Sequence, residues 1–320
     1  MRKKVLVLTT QIDRLQKSSG LYSPQSNWGI PELSKYFDVT ILPVQSILSN
    51  TYVFVKLDFE ILFLHNCDPI RFLPLHILKV LFPSAKKKKV ICLCHASVFG
   101  KSRKADNYKW MGRAISWMLK GYSVFLFFSQ RSLAESVSAG IPRSKCKMVH
   151  WGADLGGIEK NNQRAPDSGY WLSSGKENRD YSLLDRVALD ISGFTNLLVL
   201  RGGKSYDGIV QLTANCRGCI VVPNSNGLNY CTGLTCIVDA FAFGKPIVAV
   251  RNPYYPFDIE EKGCGIYVNS NSPQEIVNAI KKIETDSSLY QSMCQNSKIM
   301  SESYNLKRYM AELSNIIDSL

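Results

Sequence analysis

The sequence predicts an α/β protein built on parallel sheets with helices on both faces. Three observations carry that prediction. Short apolar runs alternate with helical segments along the whole chain, the pattern of strand–helix–strand units. At 320 residues the chain can bury a sizeable core, and its length suggests two domains. The charge divides it as well. Residues 1–150 carry 23 Lys and Arg against 8 Asp and Glu, a net of +15, whereas residues 151–320 carry 16 against 18, a net of −2.

Taken in order, strands are expected near residues 4–9, 39–43, 61–65, 89–94, 124–129 and 147–150. Helices are expected near 26–36, 72–82, 106–120 and 130–139, and the polar stretch 156–169 reads as a linker. The pattern then resumes with a strand from Tyr170 ending in Ser173-Ser174-Gly175, a basic turn, and a helix from about Asp180. A buried strand at 219–222, a long loop of small polar residues, a helix and a second buried strand at 246–250 follow.

Composition narrows the class. Hydrophobic content of 45% with 20% charged residues is ordinary for a soluble globular protein. The apolar run at 54–64 is interrupted by Lys56, Asp58 and Glu60, so no membrane-spanning helix is expected. The opening MRKKVLVLTT has too short an apolar run, and no small-residue cleavage site, for a signal peptide. Ten cysteines are scattered without a framework, which fits small apolar side chains in a reducing cytoplasm. Cys216 and Cys219 form the one close pair of metal-site spacing; zinc would need a second pair, and none accompanies it.

Two segments carry chemistry. In the loop before the later helix, Gly227 and Gly233 alternate with polar residues, and Thr232 and Thr235 stand where the helix is expected to begin. Backbone N–H groups at such a start are unpaired and the helix dipole adds positive charge, so an anion is favoured there. Asp239 lies about one turn in, placed for sugar hydroxyls; an ordinary crossover with a polar loop is the plain alternative. In the earlier turn, Gly175 allows a tight reversal, and Lys176 and Arg179 project as a diphosphate requires; solvated surface charge is the alternative there.

Together these segments resemble the C-terminal half of the retaining GT-B glycosyltransferases of the group-1, or family-4, class. In that family the first strand of the C-domain ends in a Gly-Arg turn, and a later helix reads Glu-Ala-x-Ala-x-Gly-x-Pro. Here the helix reads Asp239-Ala240-Phe241-Ala242-Phe243-Gly244-Lys245-Pro246. His150-Trp151-Gly152-Ala153-Asp154 looks like the family's domain crossover, and Phe128-Ser129-Gln130 like its strand ending in Ser. His95 ends a strand where the family often has a histidine facing the donor sugar. Three positions depart. The first of the family's two glutamates falls on Cys231, the second acid is Asp239, and the Gly-Arg turn reads Gly175-Lys176.

The resemblance implies two Rossmann-like domains facing across a cleft: residues 1–153 for the acceptor, 154–305 for the nucleotide sugar, and a last helix, 306–320, returning to the first. It implies transfer of a hexose from a UDP- or GDP-sugar, with retention, to a lipid-linked saccharide or surface polysaccharide. His95, Lys176 and Arg179 would be catalytic; Gly175, Asn229, Cys231, Thr232, Gly233, Leu234, Thr235 and Asp239 would bind the donor. Asn226 and Asn229 would replace part of the missing acid. No Asp-x-Asp pair occurs, so neither metal nor cofactor is expected. A sugar-nucleotide epimerase or a catalytically weak nucleotide-sugar-binding protein are the alternatives.

The basic half implies an anionic partner. Lysines at 86–89 follow an apolar segment, and Tyr108, Trp110, Trp117 and Tyr122 interleave with Lys and Arg over 101–122. Aromatic residues beside positive charge suit the headgroup layer of an anionic bilayer, and a solvated basic helix face is the alternative. No nucleic-acid-binding module accompanies the charge. The expected location is the cytoplasm, peripheral on the inner face of the cell membrane.

Overall fold

The computed structural model describes residues 2–9, 28–65, 73–95, 119, 121–161, 169–175, 178–224, 230–268 and 272–320. They form two compact units. One holds the described residues as far as Val149 together with Met310–Leu320, the other those of His150–Tyr309.

The first unit is a six-stranded sheet: β1 (Lys4–Thr9), β2 (Asp38–Pro43), β3 (Ile61–Leu64), β4 (Lys89–Cys94), β5 (Val124–Phe127) and β6 (Cys146–Met148). The order is β2-β1-β3-β4-β5-β6 and every pairing is parallel. β3 and β5 read ILFL and VFLF and are buried throughout, as strands covered on both faces must be. The covering elements are a 3-10 turn at Ile30–Lys35 and helices α1 (Ile47–Lys56), α2 (Leu73–Leu81), α3 (Pro83–Lys87) and α4 (Gln130–Ser138).

The second unit opens with helix α5 (Leu155–Asn161) and alternates β7 (Tyr170–Ser174), α6 (Tyr181–Ile191), β8 (Asn196–Leu200), α7 (Tyr206–Asn215), β9 (Gly218–Val221), α8 (Leu234–Ala242) and β10 (Ile247–Val250). It closes with β11 (Gly265–Val268), α9 (Pro273–Thr285) and α10 (Ser287–Ser303). Its sheet is five-stranded and parallel, β11-β10-β9-β7-β8. The last helix, α11 (Leu306–Asp318), begins in the second unit and ends in the first.

Local chemistry sets the helix starts. Ser46, Ser129, Asp180, Ser205 and Asp286 each accept the N–H three residues on, satisfying a donor that the helix leaves unpaired. At the crossover, a Cβ on Gly152 would lie 1.9 Å from the carbonyl carbon of Tyr304. Only glycine lets that backbone approach, and Ala153 pairs there with Asn305.

The structure corrects two expectations and adds a helix. The stretch read as a linker is helical at its start, because the Asp154 carboxylate accepts the Gly157 N–H at 3.1 Å and turns the chain into α5. The helix placed at 26–36 is instead the 3-10 turn Ile30–Lys35, with Pro31 in its first turn and a left-handed Gly29 as its cap. Helix α1 was not expected from sequence. The helix placed at 106–120, with Tyr108, Trp110 and Trp117, lies outside the described residues apart from a buried Leu119. Among the described residues no helix is long and apolar enough to cross a membrane.

Candidate functional site

In a parallel α/β sheet, ligands sit beyond the carboxyl ends of the strands where the strand order reverses. In the second unit that place lies between β7 and β9, since the chain runs from β7 to β8 on one side and returns to β9 on the other. β7 delivers Ser173, Ser174 and Gly175 there, both serines buried. The chain then turns back: Asp180 N–H donates to Val222 O at 3.0 Å, Asn224 N–H to Asn178 O at 2.9 Å, and Arg179 bridges Pro223. Asn178 adopts a left-handed conformation, φ 55°, which asparagine tolerates better than most residues, and its amide donates to the Tyr230 hydroxyl.

The turn folds Arg179 inward to 9% exposure. A Cβ on Gly175 would lie 2.8 Å from its Nε and Nη2, and one on Gly233 would lie 3.5 Å from Nη2. The guanidinium is therefore held between the end of β7 and the start of α8. Its Nη2 also reaches Ser174 O at 3.5 Å. Gly233 caps α8 in a left-handed conformation, φ 93°, and no side chain caps the helix. Leu234 N–H donates to Cys231 O at 3.1 Å. Thr232 is buried at 4% exposure, and its hydroxyl has no hydrogen-bond partner among the described residues. Thr235 is exposed. The start of α8 thus presents main-chain N–H groups and the positive end of a helix dipole beside a buried guanidinium.

Asp239 is 3% exposed, because α8 is apolar nearly all round and is buried with it. Cys236, one turn into the helix, is held below the usual thiol range, first by a hydrogen bond with Cys219, against the opposing effect of burial, and further by Ser174 and Arg179. Burial pushes the Cys231 thiol up to about 12, so it is neutral at pH 7 and cannot stand in for a carboxylate. Tyr255, whose ionisation burial also opposes, donates its hydroxyl to Thr232 O at 2.8 Å. It also lines a cavity of about 1000 Å³ with Asn252, Phe257, Tyr304, Arg251 and His150.

The first unit has its own reversal, between β1 and β3. Thr9, His65 and His95 close β1, β3 and β4 there, with His65 N–H bonded to Leu8 O at 3.3 Å. The His65 and His95 rings meet edge to face at 5.2 Å, and Trp28 lies 4.3 Å from His95 and stacks on Phe128 at 5.2 Å. His95 keeps some exposed surface, but its Nε2 is fully enclosed and has no hydrogen-bond partner among the described residues. Burial lowers its pKa to about 4, against a hydrogen bond to the His65 backbone. It is therefore neutral near pH 7.

The structure thus gathers Gly175, Arg179, Cys231, Thr232, Gly233 and Leu234 at one strand-end site, with Thr235 and Asp239 on the helix that starts there. His95 lies in the other unit. Lys176, Asn226 and Asn229 lie outside the described residues. Trp28, Tyr255 and the Cys219–Cys236 contact were not singled out from sequence. Trp28 carries the one signal that could mark it, an unusual φ of 55°, and that is visible only in the structure.

Comparison with known proteins fits this layout. Sucrose-phosphate synthase of Thermosynechococcus elongatus superimposes with a TM-score of 0.71 over 99% of both chains at 10% identity. HepE of Anabaena, solved in complex with UDP and glucose, superimposes with a TM-score of 0.67 over 100% of both chains at 14% identity. The fold is that of the GT-B glycosyltransferases. No protein-family model matches the chain. An uncharacterised glycosyltransferase of Haemophilus influenzae is 30% identical over 151 residues, 46% of this chain, and the match spans 38% of that protein's length. Within the GT-B fold, the β7–β9 reversal of the second unit carries the candidate donor site, and the histidine cluster occupies the equivalent reversal of the first.

Proposed function

We propose that the chain is a glycosyltransferase that moves a hexose from a UDP- or GDP-sugar to a lipid-linked saccharide or a growing surface polysaccharide. The observation that carries this reading is the buried guanidinium of Arg179, held against Gly175 beside the uncapped start of α8. A guanidinium beside the main-chain N–H groups of a helix start favours an anion there, and Asp239, buried in the same helix, supplies a carboxylate for the ribose of a nucleotide. The likeness of the fold to HepE bound to UDP and glucose supports a nucleoside diphosphate.

The difficulty of the reaction lies in departure of the diphosphate. Arg179, with Lys176 from the same turn and the amides of Gly233 and Thr235, would oppose the charge that develops on it, which is electrostatic stabilisation of the transition state. Retention follows a front-face course. The acceptor oxygen bonds to the anomeric carbon on the side from which the diphosphate leaves, and the leaving phosphate oxygen takes the acceptor's proton. His95, neutral near pH 7, would contact the donor sugar. Without an Asp-x-Asp pair in the sequence, the reaction is assigned no metal. The enzyme works in the cytoplasm, its basic half against the anionic inner face of the membrane.

Cys231 favours a second reading. A neutral thiol where the family has an acid removes one sugar contact and suits a weak, nucleotide-sugar-binding protein. One experiment separates the two. Thermal unfolding is followed with UDP, GDP, ADP, their sugar conjugates and 2′,3′-dideoxy nucleotides, then donor turnover is measured with and without a saccharide acceptor. A ligand that binds only the folded state raises its stability. UDP or GDP should stabilise, their dideoxy forms less so, and turnover should follow. Stabilisation without turnover selects the second reading, acceptor-independent conversion of the donor selects an epimerase, and no stabilisation by any nucleotide refutes all three.

A further inference from the structure

The N-terminal ends of β3 and β4, the ends opposite His65 and His95, carry an unusual surface. Of the ten large hydrophobic side chains exposed among the described residues, six fall in two short runs on α1, α2 and their ends: Tyr52, Val55 and Leu57, then Ile77, Leu81 and Phe82. Leu81 and Phe82 are 63% and 52% exposed. The neighbouring Val53, Phe54 and Leu78 pack into the core of the unit, so each helix shows apolar residues on both faces. An exposed apolar concentration of this kind marks an interaction surface.

Lysines rim it. Lys88 Nζ donates to the carbonyls of Phe54 at 2.8 Å and Leu57 at 2.9 Å, and lies 3.8 Å from the centre of the Phe59 ring. Lys79 Nζ donates to the Lys88 carbonyl at 2.7 Å. These bonds draw the end of α1, the end of α2 and α3 to one place, with Lys56, Lys86 and Lys87 exposed around them. Beside them a cavity of about 350 Å³ is lined by Lys3, Lys87, Lys88 and Lys89, with Glu60 and Leu320 among them. Lys3 Nζ is held by the carbonyls of Ile317 and Asp318. Carbonyls orient Lys3 and Lys88 without cancelling their charge, and of the nearby acids Asp58 is paired with Lys4.

The composition selects the occupant. Lysine is depleted where proteins bury surface against each other. Apolar side chains rimmed by lysine instead suit the boundary between lipid headgroups and acyl chains, where long amines reach phosphate while the apolar residues leave water. We infer that this end of the first unit seats on an anionic phospholipid surface. Leu57, Leu81 and Phe82 enter the acyl boundary, and the lysine-lined cavity takes a lipid phosphate. The inference deepens the membrane part of the reading above and rests on it.

The test is co-sedimentation of the full chain with vesicles of phosphatidylcholine alone or mixed with phosphatidylglycerol, across a salt series. The wild type should partition onto the mixed vesicles and lose affinity as salt rises. Lys86→Gln with Lys87→Gln should weaken partitioning by about fivefold per lysine and flatten the salt dependence. Leu81→Ser with Phe82→Ser should weaken it at least as much and leave the salt dependence in place, because these residues contribute area. Lys281→Gln with Lys282→Gln, exposed on the other unit, should change nothing. Equal partitioning onto both vesicles, none onto either, or double variants that sediment like the wild type would overturn the inference. So would light scattering that shows a dimer dissolved by Leu81→Ser with Phe82→Ser, which would assign the face to a second copy. Nucleotide stabilisation is measured on the same proteins without vesicles. Its loss in the wild type sinks the enzymatic reading, whereas failed docking with nucleotide binding intact sinks only this one.

Discussion

Arg179 and Gly175 act as one device at the scale of single residues. The guanidinium lies 2.8 Å from where a Cβ on Gly175 would be, and the same turn fixes its direction through the bridge to Pro223. Losing one charge-assisted contact typically costs about 1.5–3 kcal/mol, so Arg179→Ala should lower turnover by one to two orders of magnitude. Nucleoside diphosphate binding should fall further than monophosphate binding. Arg179→Lys should restore little, since an ammonium lacks the planar fork. Isothermal titration with UMP and UDP reads the difference, and equal losses for both would remove Arg179 from the diphosphate. His95 sets a pH dependence. Its folded pKa of about 4 is below the usual value of about 6.5, so on acidification the unfolded chain takes up the proton first. The stabilising difference is fully present above pH 6.5 and is lost as pH falls towards 4, on the order of 3 kcal/mol in all. His95→Gln should flatten that part of a stability–pH curve measured by urea unfolding; an unchanged slope would mean His95 is not enclosed as described.

Elements explain what the sequence could and could not reveal. Gly233 starts α8 with φ 93°, and a Cβ there would meet Val221 Cγ1 at 2.2 Å. Gly233→Ala must therefore move the helix start away from β9 or strain it. It should weaken UDP binding tenfold or more while the strands keep their protection in hydrogen exchange; undiminished UDP binding would show that the helix start is not the anion site. The strands around it were legible because parallel strands buried on both faces read as unbroken apolar runs, as in the CIV of β9 and the IVAV of β10. α6 was legible from its Asp180 cap. α1 was not. Its β-branched Thr51, Val53 and Val55 disfavour a helix, and Tyr52 and Val55, apolar and exposed, blur the polar face that would have revealed its period. α5 was hidden by Gly156 and Gly157, which read as linker until the Asp154 cap is seen. Tyr255 and Trp28 reach their sites from segments remote in sequence, so no local pattern marks them.

The whole molecule is tied at its last helix. α11 leaves the second unit beside the Ala153–Asn305 bridge, where Leu306 N–H donates to Ala153 O at 2.8 Å. Its residues from Met310 onward belong to the first unit. There Leu313 and Ile317 are fully buried. Lys3, just before β1, donates to Ile317 O at 3.1 Å and Asp318 O at 2.8 Å. Those carbonyls are among the last four of the helix, which have no partner within it, and a cation there also meets the negative end of the helix dipole. The end of the chain therefore helps hold its beginning. Ile317→Ala should cost about 2–5 kcal/mol, the range for truncating a buried aliphatic side chain. The loss should be local to the first unit. Native-state hydrogen exchange should show β1 and β2 losing protection, while β9 and β10, whose strands pack in a separate core, keep theirs. Lys3→Met should loosen the same strands more mildly, since it removes hydrogen bonds and charge but no buried apolar group. If β9 and β10 exchange faster to the same degree in Ile317→Ala, the two units unfold as one and the helix end is not a tie specific to the first.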